Sequence, residues 1–142
     1  MESIHFKQGL FTVNLELRPP ITIVTGDTSS GKTLLWNWIK LQSKLPEHVK
    51  KCEHFMFVNY DNLDINISLI RGKFIIIDNA DVFFTRHRHN IEAVRHSIRH
   101  NQYLILCRGE YNLGVSPNHY ATVVERDKVF TLEYEFDVEG WY

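Results

Sequence analysis

The sequence predicts an α/β fold in which a mostly parallel central sheet carries antiparallel strands at the N- and C-terminal ends of the chain. Apolar runs of strand length alternate with segments of helical periodicity. The two most apolar runs, 74–77 and 103–107, are typical of parallel strands that are covered on both faces. The 142 residues contain no linker, repeat or low-complexity tract, so one domain is expected over residues 1–142.

The strands are predicted from side-chain alternation and β-branched content. Residues 11–17 alternate apolar and polar side chains, which is the period of a strand with one buried face. Residues 21–25 are rich in β-branched side chains and end at Gly26. The remaining predicted elements are a strand at 54–58, a segment at 61–70 that fits either a strand or a short helix, and a hairpin of 119–125 with 129–135.

Two helices are predicted. After Gly31, apolar residues recur at spacings of four, three and four until Pro46, which predicts a helix with these residues on its buried face. They are Leu34, Trp38, Leu41 and Leu45. Trp36 lies off this stripe, so it is expected to be exposed, either at an interface or base-stacking surface or as one of the scattered exposed aromatics common on protein surfaces. The second helix is predicted over 88–101.

The composition argues against several classes of protein. A net charge of −1 disfavours a protein that binds polyanions over its whole surface. Cys52 and Cys107 are too few for a disulfide framework and lack metal-binding spacing. No apolar run reaches the roughly 20 residues of a membrane span, and the first residues lack the features of a signal peptide. A cytoplasmic protein without a membrane partner is therefore expected.

The strongest functional signal lies at residues 26–33, where Gly-Asp-Thr-Ser-Ser-Gly-Lys-Thr matches G-x-x-x-x-G-K-[ST] between a predicted strand and a predicted helix. Successive N–H groups and the helix N-terminus of such a loop attract phosphate. Lys32 is expected to reach the β- and γ-phosphates, and the Thr33 hydroxyl to ligate Mg²⁺. The predicted nucleotide-binding residues are Gly26, Asp27, Thr28, Ser29, Ser30, Gly31, Lys32 and Thr33.

In this motif the sequence resembles the P-loop NTPase superfamily. The resemblance implies a three-layer fold, with ATP and Mg²⁺ as ligands and a second acidic residue at the end of an apolar strand. The run at 74–78, Phe-Ile-Ile-Ile-Asp, resembles that Walker B element, so Asp78 is expected to hold Mg²⁺ through water, beside Thr33. The chain has no Asn-Lys-x-Asp motif for reading guanine, which favours ATP over GTP.

The predicted catalytic residues are Lys32, Asp78, Asp81 and Arg108. Many ATPases of this superfamily place Glu after the Walker B aspartate, but this chain has Asn79, whose amide cannot accept a proton. Asp81 is either a substitute for that Glu or a helix cap. Arg108 follows a predicted strand in the way that the sensor residue of AAA-like ATPases does, with a surface ion pair as the alternative. The sequence is most similar to a minimal, stand-alone ATPase of AAA/RecA-like type.

Three functions stay open at this point. The first is a Mg²⁺-dependent ATPase that is slow or partner-activated, its site completed by a second copy or another protein. The second, favoured by Asn79, is a nucleotide-dependent binding module or switch with negligible hydrolysis. A small-molecule kinase is less favoured. In the basic segment 86–100, a solvated helix face is favoured over nucleic-acid or acidic-partner binding, and a metal site at His96 and His100 is least favoured.

Overall fold

The computed structural model describes residues 1–27, 31–62, 64–86 and 88–136. These residues form one sheet of eight strands and three α-helices. The strands are β1 (Ser3–Gln8), β2 (Phe11–Glu16), β3 (Ile21–Val24), β4 (Phe55–Val58), β5 (Phe74–Ile77), β6 (Gln102–Leu106), β7 (Tyr120–Arg126) and β8 (Val129–Tyr134). The helices are α1 (Lys32–Ser43), α2 (Ala80–Arg86) and α3 (His89–Ser97).

The strand order in the sheet is β1-β2-β8-β7-β3-β6-β5-β4. The hairpins β1–β2 and β7–β8 are antiparallel, and they pair with each other in parallel through β2 and β8. Strand β7 then pairs in parallel with β3, and the parallel pairing continues through β6 and β5 to β4. The sheet is therefore mixed, with antiparallel hairpins supplying half of its strands.

The predicted fold class, a three-layer P-loop NTPase fold with a mostly parallel central sheet, is wrong. The observed sheet is a mixed one that curls into a half-barrel. Helices α1, α2 and α3 have 12, 7 and 9 residues, too little to form two layers over eight strands. The curl supplies part of the missing cover, because inward-facing residues of β1 and β2 share one apolar cluster with α1, β5 and β6.

The core lies on both faces of the middle of the sheet. In β5, Phe74 and Ile76 belong to the cluster on the α1 side, whereas Ile75 and Ile77 belong to the cluster that includes α2 and α3. All four side chains are fully buried, and β5 pairs in parallel with both neighbours. The predicted strand at 74–77, covered on both faces, is confirmed.

Helix α1 buries a different face from the predicted one. Leu34 is 58% exposed, whereas Leu35, Trp36 and Ile39 are buried. The indole Nε1 of Trp36 donates to the carbonyl oxygen of Ile76 at 3.0 Å. Trp36 is therefore part of the core, and its predicted exposure is wrong. The helix carries two apolar stripes, and periodicity by itself does not show which stripe meets the sheet.

Most other local predictions agree with the structure within a few residues. The strands predicted at 11–17, 21–25, 54–58 and 103–107 and the predicted hairpin correspond to β2, β3, β4, β6 and β7–β8. Two short 3₁₀ turns, Tyr60–Asn62 and Ile67–Leu69, overlap the segment 61–70, whose position 63 lies outside the described residues. The helix predicted over 88–101 is shorter, and β1 and α2 were not predicted. Within the described residues, no helix has the length and apolar character needed to cross a membrane.

Candidate functional site

The predicted site residues meet at one edge of the sheet. Because β3, β5 and β6 are parallel, the segments that follow them leave the sheet at the same edge, where ligands bind in open sheets of parallel strands. Gly26 and Asp27 follow β3, Asp78 follows β5, and Arg108 follows β6. The predicted nucleotide-binding residues Thr28, Ser29 and Ser30 lie outside the described residues.

The glycines of the motif have backbone conformations that favour glycine. The φ angles of Gly26 and Gly31 are 144° and 88°. A Cβ at Gly31 would meet its nearest neighbour, a ring carbon of Phe130, at an ordinary 3.8 Å, so conformation rather than space requires glycine there. The Gly31 carbonyl accepts from the Leu35 N–H at 2.9 Å, and α1 begins at Lys32. The start of α1 therefore faces the site edge.

Lys32 is buried and lies against the backbone of the loop that precedes it. Its Nζ donates to the carbonyl oxygens of Gly26 and Asp27 at 2.5 Å and 2.6 Å. Burial lowers the pKa of Lys32, against the opposing influence of nearby acidic groups. A phosphate oxygen is a stronger acceptor for an ammonium group than a peptide carbonyl. The side chain is therefore placed where it can exchange loop carbonyls for a phosphate.

Thr33 and Asp78 lie side by side although they are 45 positions apart in the sequence. The Thr33 Oγ1 donates to Asp78 Oδ1 at 3.3 Å. Burial raises the pKa of Asp78, and hydrogen bonds from Thr33 and the Asn79 N–H oppose the shift. A hydroxyl and a carboxylate are oxygen ligands, which suit a Mg²⁺ ion that keeps several water ligands. Among the described residues, no group of three or more His, Cys, Asp or Glu side chains is arranged to hold a metal.

Two adjoining cavities lie over this edge. The inner cavity, of about 190 Å³, contains Lys32, Thr33 and Asp78 in its wall. The outer cleft, of about 660 Å³, is lined in part by Gly26 and Asp27, and its volume is in the range of small-molecule sites. Asp81 and Arg108 line both cavities. All four predicted catalytic residues, Lys32, Asp78, Asp81 and Arg108, therefore line the inner cavity.

Cys107 also lines the inner cavity. Burial raises the pKa of its thiol to about 12, and the Sγ donates to the Gly109 carbonyl oxygen at 3.2 Å. A thiol in this state is neutral at physiological pH, and the thiolate is the nucleophilic form of cysteine. The cavity is therefore not arranged for cysteine nucleophile chemistry.

Asp81 makes contacts that its sequence position did not reveal. Its carboxylate accepts from the N–H groups of Arg108 and Gly109 at 2.8 Å and 3.1 Å and from the Tyr111 hydroxyl at 2.8 Å. Burial raises the pKa of Asp81, but these hydrogen bonds outweigh burial and leave the pKa below its usual value. Tyr111 was not singled out from the sequence, which contains no local pattern linking it to Asp81.

Asn79 has a left-handed backbone conformation, with φ of 52°. Its carbonyl oxygen accepts from the Val82 N–H at 3.1 Å, in the turn that leads from β5 into α2. Asparagine tolerates this conformation better than most residues with a Cβ. The turn therefore supplies a backbone reason for asparagine at this position, separate from any role in hydrolysis.

Asn79→Glu is expected to lower the free energy of unfolding by about 1–2 kcal/mol. This is the usual cost of placing a residue such as glutamate in the left-handed backbone conformation. Asn79→Gly is the matched control and should stay within about 0.5 kcal/mol of wild type, since glycine adopts this φ freely. Urea denaturation followed by circular dichroism measures both values. Equal stability of the Glu and Gly variants would show that this backbone conformation does not determine the choice of residue.

The basic segment 86–100 makes ion pairs with nearby acids. Arg86 lies 3.6 Å from Asp64, and Arg95 donates to Glu92 at 2.8 Å. Position 87 lies outside the described residues. These pairs favour the interpretation of a solvated helix face.

Comparisons with known proteins found no match by any of three routes. A scan against models of protein families, a search of curated proteins and a search of solved structures each ended without a similar protein. The site combines a buried lysine, a hydroxyl–carboxylate pair and an arginine around the inner cavity. Such an arrangement suits a phosphorylated ligand that carries a divalent cation.

Proposed function

We propose that this protein binds a nucleoside triphosphate, preferentially ATP, together with Mg²⁺, and hydrolyses it slowly or on activation by a partner. The observation that carries the proposal is the placement of the Lys32 ammonium beside the Thr33–Asp78 pair in one cavity. This local geometry and the 26–33 motif support the proposal.

The phosphate chain would lie along the start of α1. The first N–H groups of a helix point toward its N-terminal end and attract an anion, and α1 is long enough, at 12 residues, to carry a helix dipole. Lys32 would bind the phosphates nearest the transferred group, and Gly31 allows the backbone to turn directly into the helix. The open cleft beside Gly26 and Asp27 leaves room for the remainder of the nucleotide.

Magnesium would be held at the Thr33–Asp78 pair. When bound, it supplies positive charge against the phosphate oxygens. Thr33 would ligate it through the hydroxyl, and Asp78 would hold it directly or through water, as few protein ligands suffice for this ion. Asp78 also fixes the orientation of the Thr33 side chain through their hydrogen bond.

A nucleotide-dependent switch with negligible hydrolysis is the second candidate function. Asn79 and Asp81, the two positions considered for a base from the sequence, both line the inner cavity. The Asn79 amide cannot accept a proton, and the Asp81 carboxylate accepts three hydrogen bonds that lower its pKa and weaken it as a base. Phosphate release above background in a single-turnover assay would favour the ATPase, whereas tight ATP binding without release would favour the switch.

The proposal is tested by thermal stabilisation with ATP, GTP and ADP, each with and without Mg²⁺. We expect Mg²⁺–ATP to raise the melting temperature most, because it is the proposed ligand. A ligand that binds only the folded state stabilises that state by an amount that grows with the logarithm of the ligand concentration divided by Kd. Absence of stabilisation by any of the nucleotides, supported by calorimetry showing no binding, would overturn the proposed function.

Asp78→Asn is expected to raise the melting temperature of the metal-free protein and to remove most of the Mg²⁺ dependence of ATP binding. Because burial holds the pKa of Asp78 above its usual value, the folded state binds this proton more tightly than the unfolded chain. The free energy of unfolding therefore falls as the pH rises from the pKa of Asp78 in the unfolded chain to its higher pKa in the folded protein. Above the higher pKa, the ionised carboxylate destabilises the folded state. The neutral amide removes this cost and also the charge that attracts Mg²⁺.

The matched control is Asp127→Asn, which makes the same change in the exposed turn between β7 and β8. It should alter neither the metal-free melting temperature nor the Mg²⁺ effect by a measurable amount. An equal enhancement of ATP binding by Mg²⁺ in wild type and Asp78→Asn would remove Asp78 from the metal site.

A further inference from the structure

Asp81 connects two segments that are far apart in the sequence. It lies in the first turn of α2, and its carboxylate accepts hydrogen bonds from three residues that are 27 to 30 positions later. These three residues, Arg108, Gly109 and Tyr111, belong to the segment after β6, which we call the 108–111 segment. One carboxylate therefore holds both the backbone and a side chain of this segment.

Further contacts support the same attachment. The Tyr111 ring lies against Phe84 of α2, with ring centroids 4.9 Å apart. The Tyr111 carbonyl oxygen accepts from the Tyr120 hydroxyl at 2.9 Å. Asp81 and Phe84 thus hold Tyr111 from the α2 side, while Tyr120 holds it from β7. The position of the 108–111 segment depends on these groups, since it contains no helix or strand of its own.

The attachment determines where Arg108 lies. Its N–H donates to Asp81, and Arg108, which is exposed, lines both the inner cavity and the outer cleft. Lys32 and Asp78 lie in the wall of the same inner cavity. A guanidinium at this place is suited to a terminal phosphate, because it presents several donors in a fixed plane.

We propose that Asp81 is a positioning residue that, with Tyr111, holds Arg108 where it distinguishes a nucleoside triphosphate from a diphosphate. The inference rests on the proposed function and adds to it the group that senses the γ-phosphate and the contacts that place that group. In this proposal Asp81 acts through Arg108. Without the attachment, Arg108 samples many orientations. Ordering the arginine then costs free energy when the nucleotide binds, so Arg108 contributes less to the affinity for ATP.

The test measures the affinities of Mg²⁺–ATP and Mg²⁺–ADP by calorimetry and compares their ratio among variants. Arg108→Ala is expected to reduce the preference for ATP by about tenfold, the scale of a charge-assisted hydrogen bond to phosphate. Tyr111→Phe removes one hydroxyl from the attachment and is expected to lose part of that preference, with ADP affinity within about twofold of wild type.

The double variant Tyr111→Phe/Arg108→Ala separates positioning from an independent effect. If Tyr111 acts through Arg108, the double variant has the same ATP-to-ADP ratio as Arg108→Ala alone. Asp81→Asn gives a second measurement: the amides of Arg108 and Gly109 should exchange hydrogen faster than in wild type, with or without nucleotide, because the neutral amide is a weaker acceptor.

Tyr103→Phe is the matched control for loss of stability. Its hydroxyl hydrogen-bonds Ser97 and Asn101 near the opposite end of β6, so its loss lowers stability without touching the 108–111 segment. We expect an unchanged ATP-to-ADP ratio. If wild type prefers ATP and Tyr111→Phe keeps the full preference, this inference is overturned and the proposed function stands. Equal affinity of the wild type for ATP and ADP would likewise overturn this inference and leave the proposed function standing. If the wild type binds neither nucleotide, the inference and the proposed function are both overturned.

Discussion

Lys32→Met is expected to reduce the affinity for Mg²⁺–ATP by about 10²-fold or more. The ammonium group is expected to make several charge-assisted hydrogen bonds to phosphate, each worth about 1.5–3 kcal/mol. Methionine keeps most of the length and the apolar stem of lysine but has neither charge nor donor. Isothermal titration calorimetry measures the affinity directly.

The variant should remain folded. Lys32 is 7% exposed, and its loss leaves the carbonyl oxygens of Gly26 and Asp27 without this donor. Both residues line the open cleft, where water can replace the ammonium group. Lys40→Met is the matched control, since Lys40 is on the same helix, with its Nζ 5.0 Å from the centre of the Trp36 ring. Wild-type ATP affinity in Lys32→Met would exclude the 26–33 motif as the phosphate site.

Trp36→Ala is expected to lower the free energy of unfolding by about 3–5 kcal/mol, the usual cost of removing a buried tryptophan. The indole is 2% exposed, contacts the Phe57 ring edge to face and donates to the Ile76 carbonyl. Much of the stability of a domain of this size depends on such contacts between helix and sheet. Urea denaturation with two optical probes measures the change and tests two-state behaviour.

Trp38→Ala is the matched control on the same helix. Trp38 is partly buried against Phe11, and its Nε1 has no hydrogen-bond partner within the described part of the chain. A smaller loss of about 1–2 kcal/mol is therefore expected. Leu34→Ala and Leu41→Ala, on the exposed stripe, should each change stability by no more than about 0.5 kcal/mol. Larger losses at Leu34 than at Trp36 would mean that α1 packs by the opposite face.

Local patterns in the sequence were sufficient to predict most strands and to single out Lys32, Asp78, Asp81 and Arg108, which line one cavity. The wholly apolar runs correspond to β5 and β6. A strand that is covered on both faces buries every side chain, so nearly all of its residues are apolar. Polar residues that directly follow such runs, Asp78 above all, then lie at the edge of the sheet. The sequence pattern is therefore enough to connect the 26–33 motif with Asp78, and the roles of both in binding stay predictions.

The buried face of α1 and the class of the fold were beyond the reach of local patterns. Leu34 and Leu35 are adjacent and identical, yet one is 58% exposed and the other fully buried. Helical periodicity identifies both stripes, but the strands that α1 packs against determine which one is covered. The curl of the sheet likewise depends on the pairing of β2 with β8, strands separated by most of the chain.

Side-chain pattern alone thus specifies most strands, the glycine-containing motif and the acidic residue that follows β5. Packing of distant segments is what joins Asp81 to Arg108 and Tyr111, brings Thr33 to Asp78, and buries Lys32. The difference lies in the range of the interactions. Side-chain period and backbone preference act within a few residues, whereas these hydrogen bonds join groups 27 to 45 positions apart. Such groups meet only when the strand order brings their segments to one edge of the sheet.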